Sequence, residues 1–127
     1  QEVIWEMIDR EATESGVMAH IATEVLDAGP VLAHCVYPIR GGGYDQLWDD
    51  ASGTSVEELQ AMGEEQPLFA AIRREGIRRE RPLLLEALRA LASGRLRVGN
   101  RLVTDENGEE LKNGLQLDAE VDSYLNP

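Results

Sequence analysis

The spacing of apolar residues changes several times along this chain, and each change marks an element. Val3, Ile4, Met7 and Ile8 recur at helical intervals, with Glu2, Glu6, Asp9 and Arg10 mostly on the other side. That pattern predicts an amphipathic helix over 2–12, its apolar stripe turned to the core. Thr13 to Gly16 breaks it. The runs 16–23 and 31–39 are rich in β-branched and apolar residues and predict two strands, the second ending at Pro38, where a ladder donor is lost. Between them, Leu26-Asp27-Ala28-Gly29-Pro30 carries the densest turn chemistry of the chain.

Arg40-Gly41-Gly42-Gly43 reads as a flexible connector, because neither a Walker-type nor a dinucleotide-type glycine spacing is formed. Tyr44 to Asp50 predicts a short helix carrying Leu47 and Trp48, broken at Ser52-Gly53-Thr54. Thr54 or Ser55 can cap the next helix, since Glu57 and Glu58 stand where a capping box places acids. That helix ends near Met62-Gly63. Pro67 suits a first helical position and opens the longest helical region, with Leu68, Phe69, Ile72 and Ile77 as its early stripe. Gly76 and Pro82 predict a kink there, or two abutting helices. Leu84, Leu85, Leu88 and Leu91 form the expected buried face of the second half, and Gly94 stops it. Leu96-Arg97-Val98 and Leu102-Val103-Thr104 around Gly99-Asn100 predict a small hairpin. Asp105 to Glu110 is a polar turn. Apolar residues at 115, 117, 121 and 125 predict a last short helix. The chain holds no internal repeat and no low-complexity tract.

A chain of 127 residues is enough for one domain with a real core. No apolar run approaches the roughly eighteen residues of a membrane span, and no signal-peptide pattern opens it. The single cysteine excludes an internal disulfide and fits a reducing, cytoplasmic location. The net charge of −12 argues against general nucleic-acid binding, which needs Lys and Arg for phosphate contacts. The charge is uneven: residues 73–101 hold nine arginines against three glutamates, whereas residues 1–66 hold fourteen acids and only Arg10 and Arg40. Compensation between the basic segment and acidic neighbours is the expected arrangement.

An acid held in a tight Gly-Pro loop between two strands has two readings. Asp27 can fix the turn through backbone amides, or it can be aimed rigidly at a ligand. Here a resemblance enters. Gly16-Val17-x-x-His20, followed by Leu26-Asp27-x-Gly29-Pro30-Val31-Leu32, resembles the second half of a folate-dependent formyltransferase. It lies nearer the glycinamide ribonucleotide branch of that family than the methionyl-tRNA branch. Glu80-x-Pro82-Leu83-Leu84 and Ala90-x-x-x-Gly94-x-Leu96 resemble the family's closing helix and its glycine stop. The likeness runs from 14 to 104, with an insertion over 49–66, and leaves 105–127 as an acidic extension.

The resemblance implies an α/β fold, a formyltransferase-like (Rossmann-like) partial domain with a two-strand hairpin around the Asp27 loop and helices packed beside it. It implies 10-formyltetrahydrofolate as cosubstrate, a small amine as acceptor, and a place in one-carbon metabolism. Asp27 and His20 fall on catalytic positions, and Thr23, Glu24, Val25, Leu26, Asp27, Ala28, Gly29 and Pro30 on the wall of the folate pocket. The family's Asn-x-His segment, which serves the oxyanion and the proton transfer, has no counterpart in this chain. Catalysis is therefore expected to need residues upstream of Gln1. The alternative is a catalytically incomplete binding or interaction module. Pairing with a missing N-terminal half, or a homodimer through an exposed sheet edge, is the corresponding partner expectation.

The remaining chemistry reads as structural. His34 and Cys35 are neighbours on a strand and point to opposite faces, so they do not share a metal, and no zinc-ligand spacing is present. Cys35 has no basic neighbour in sequence and is expected as a core thiol. Trp5 and Trp48 are expected as core or interface anchors. Arg73, Arg74, Arg78, Arg79 and Arg81 form a helical face that is either salt-bridged to acidic neighbours or offered to a phosphate or polyglutamate.

Overall fold

The computed structural model describes residues 2–20, 29–100 and 102–127 and shows a mixed α/β protein with two small sheets and packed helices. The elements are α1 (Glu2–Asp9), β1 (Glu14–His20), β2 (Val31–Pro38), α2 (Tyr44–Ala51), α3 (Val56–Ala61), α4 (Pro67–Ser93), β3 (Leu96–Gly99), β4 (Leu102–Asp105), β5 (Leu115–Gln116) and α5 (Asp118–Leu125). One sheet has the order β1-β2-β5 and the other pairs β3 with β4. The chain forms two units, residues 1–15 with 37–77 and residues 16–36 with 78–127.

The first unit is helical around the ends of β1 and β2. Trp5 and Ile8 are the buried residues of α1, and the Trp5 ring stacks on Phe69 at 4.5 Å. Val3, expected in the core stripe, is 58% exposed instead. The indole has more apolar area to bury than the valine, so the helix turns to seat it. Ser55 caps α3 by accepting from the Glu58 amide at 3.2 Å, as the spacing predicted. The stretch between α2 and α4, expected as an insertion, is folded as α3 and a single 3-10 turn at Gly63–Glu65. Gln66 precedes α4 and its Oε1 accepts from the Phe69 amide (2.8 Å), satisfying one of the orphan donors of the helix start.

In the second unit β2 is the spine. Leu32, Ala33 and Cys35 are its buried residues there. β5 pairs parallel to it, Ala33 opposite Leu115 and His34 opposite Gln116. Residues 115 and 116 are thus strand, not the start of the last helix. Leu117 and Val121 behind them are fully buried with Leu83, Ala87 and Leu96. β3 and β4 pair antiparallel, Gly99 opposite Leu102, so Gly99 belongs to the strand and Asn100 (φ 52°) follows it; Arg101 lies outside the described residues.

α4 runs as one helix of 27 residues with Pro82 inside it, not as two abutting helices. Pro82 is itself buried, beside Leu83, so apolar packing holds the segment helical although one backbone donor is lost. The face it buries also differs from expectation. Leu83, Ala87 and Ala90 are inside, and Leu91 packs partly buried against them as expected, whereas Leu84, Leu85 and Leu88 are exposed. The alanines let the helix approach its neighbours closely, and the larger leucines are left on the outer side. Gly94 ends the helix at φ 84°, as predicted.

Candidate functional site

The residues singled out from sequence cluster around the segment between β1 and β2. Asp27, with Thr23, Glu24, Val25, Leu26 and Ala28, lies outside the described residues. His20 is the last residue of β1 and is exposed. Gly29 and Pro30 are half-buried and lead directly into β2. β1 and β2 are neighbours in the sheet, so they bring His20 and the Gly29-Pro30 pair to the ends of adjacent strands. Their approach is tight at one point: a Cβ on Gly16 would stand 3.0 Å from the Cys35 carbonyl oxygen, so this register favours glycine.

On its other side β2 is held by groups that sequence reasoning missed. Asp118 Oδ1 accepts from the Val36 amide (2.8 Å), and its Oδ2 accepts from Gln116 Nε2 (2.7 Å). His34 Nδ1 donates to the Asn113 carbonyl (2.7 Å), while the His34 carbonyl accepts from the Leu117 amide (2.9 Å). These bonds give both His34 and Asp118 structural partners. Asn113-Gly114 was the only sequence signal for this crossing, and it is a general turn pair.

Cys35 is 1% exposed, and its thiol is pushed above the ordinary value by burial first and by the Asp118 carboxylate second. The Arg79 charge and a hydrogen bond with the Val17 backbone pull the other way and are outweighed. A buried, protonated thiol is no nucleophile at neutral pH, so Cys35 is the core thiol that was expected.

The first unit holds a separate open cavity of about 390 Å³, lined among others by Asp9, Arg40, Trp48, Asp49 and Leu59. Arg40 is fixed there. Its Nε donates to the Ala12 carbonyl (3.3 Å), its Nη2 to the Glu11 carbonyl (3.1 Å), and its guanidinium lies 3.6 Å from the Trp48 ring centroid. Those carbonyls lie in the turn after α1, and the indole face adds a cation–π attraction. Trp48 in turn donates from Nε1 to the Ile39 carbonyl (2.7 Å). This Arg–Trp pair fastens the turn after β2 to the turn after α1.

Some of the arginines of α4 and beyond are paired with acidic neighbours, as the sequence anticipated. Arg73 bonds Glu64, and both Nη atoms of Arg95 bond Glu120 at 3.2 Å. Among the described residues no group of three or more His, Cys, Asp or Glu could hold a metal ion. No described helix is long and apolar enough to cross a membrane. No family model, curated protein or solved structure matches the chain.

Proposed function

We propose that this chain is the folate-facing half of a formyltransferase-like protein, moving a formyl group from 10-formyltetrahydrofolate to a small amine with the help of residues outside it. The observation that supports this best is the pairing of β1 and β2 in one sheet around the Asp27 segment, with His20 exposed at one strand end and Gly29-Pro30 opening the next. Two strands on either side of residues 21–28 are what the resemblance implies there.

In such a reaction the acceptor nitrogen attacks the formyl carbon. The new C–N bond forms as the bond from that carbon to the folate nitrogen breaks, and one proton passes from the acceptor nitrogen to the departing one. Asp27 would orient a histidine or an ordered water for this proton transfer, and His20 would stabilise charge beside it. Stabilising the oxyanion takes a donor, which a carboxylate is not, so that group comes from elsewhere. The absence of an Asn-x-His segment from the sequence favours a second reading, a catalytically incomplete formyltransferase-like module that retains binding or interaction.

Calorimetric titration with a stable folate analogue, on the native chain and on Asp27→Asn and His20→Ala, tests the proposal. Saturable heat that falls in Asp27→Asn is the expected result. Heat that is absent, or unchanged in both variants, would remove the folate reading.

A further inference from the structure

The leucines expected in the core and part of the arginine cluster share an exposed face of α4. Leu84, Leu85 and Leu88 are 50%, 38% and 52% exposed. They recur with Arg81 and Ala92 at spacings of three and four, which places them side by side along the helix. Arg81 lies among the leucines, Arg78 and Arg89 border one edge, and the acid Glu80 borders the other. Arg81 and Arg89 are exposed, and Arg89 makes a 3.7 Å ion pair one helical turn back to Glu86. Such a surface pair is worth little and exchanges readily for a better one.

A row of leucines with guanidinium groups in and beside it calls for an occupant with an apolar row and carboxylates. An antiparallel second copy of the same face would set arginines near arginines, with only Glu80 to receive them. An anionic membrane or a nucleic acid is an extended surface that would meet the whole net charge of −12, whereas a short segment meets only the arginines within about a Debye length of it. Charge complementarity therefore favours a protein segment. We propose that the Leu84–Leu85–Leu88 face of α4 docks an acidic amphipathic helix of a partner protein, with its apolar residues on the leucines and its carboxylates on Arg81 and Arg89. This surface stands whether or not the Asp27 segment binds folate.

The test uses a fluorescein-labelled synthetic helical peptide with leucines on one face and glutamates flanking them, titrated with the full chain and read by anisotropy. A twin peptide carries lysine in place of glutamate, phosphatidylserine vesicles offer a lipid surface, and sedimentation reports self-association. The glutamate peptide is expected to bind saturably and to weaken as salt is raised. Affinity is expected to fall about tenfold or more in Arg81→Glu and in the double variant Leu84→Ser/Leu88→Ser. These side chains are exposed, so circular dichroism and the urea midpoint should stay close to those of the parent. No binding of the glutamate peptide, equal binding of the lysine twin, preference for vesicles, or a dimer abolished by Leu88→Ser would each overturn the proposal.

Discussion

Replacing Gly114 by alanine probes how closely the segment before β5 crosses β2. Gly114 has φ 72°, and a Cβ there would stand 2.5 Å from the Leu32 carbonyl carbon, 2.6 Å from its oxygen and 2.7 Å from the Ala33 nitrogen. All three atoms are backbone, so no side-chain rotation relieves the overlap. The left-handed conformation alone costs about 1–2 kcal/mol for an L side chain, and forcing packed backbone apart adds about 1–3 kcal/mol. Gly108 is the matched control: its φ is 84°, and an added Cβ meets nothing within 4 Å. Gly108→Ala should therefore show the conformational cost only. With a urea slope of about 1–3 kcal/mol per molar, Gly114→Ala should unfold about 1 M earlier than Gly108→Ala. Equal midpoints for the two variants would refute the close crossing, and with it the account of how β5 is held.

Ser55→Ala should destabilise by about 1 kcal/mol, because the Glu58 amide loses its side-chain acceptor; a urea midpoint reads this directly. Cys35 sets a pH dependence. Burial raises its folded pKa above the ordinary thiol value, so the folded chain keeps the proton where the unfolded chain releases it. Stability should be level below that value and fall as pH rises above it, by at most about 1.4 kcal/mol per pH unit from this group. Cys35→Ala should flatten that decline, and a decline of unchanged slope would show that the thiol is not its source.

Much of the fold was legible where signals are local. The Ser55 cap, the Pro67 start, the Gly94 stop and the hairpin around Asn100 are each specified by residues within a few positions of one another. What escaped is non-local. β5 is two residues long, and its partner in β2 lies some eighty positions earlier, so no periodicity announces it. The leucine stripe of α4 misled for a related reason. Helical spacing defines an apolar face but not the side on which the sheet and hairpin lie, and the smaller Leu83–Ala87–Ala90 row won that side. The packing of Trp5 in place of Val3 likewise depends on Phe69, far along the chain. In the candidate site the two strands were readable from composition, whereas Asp118 and the crossing at Gly114 were not, because their partners on β2 are long-range.

The most direct test of the central claim is the heat of binding of a stable folate analogue, compared between the native chain and Asp27→Asn. The account predicts saturable binding by the native chain that weakens about tenfold or more, at least about 1.4 kcal/mol, when the carboxylate becomes an amide. Binding of equal strength in both proteins, or no binding by a chain that unfolds cooperatively in urea, would contradict it.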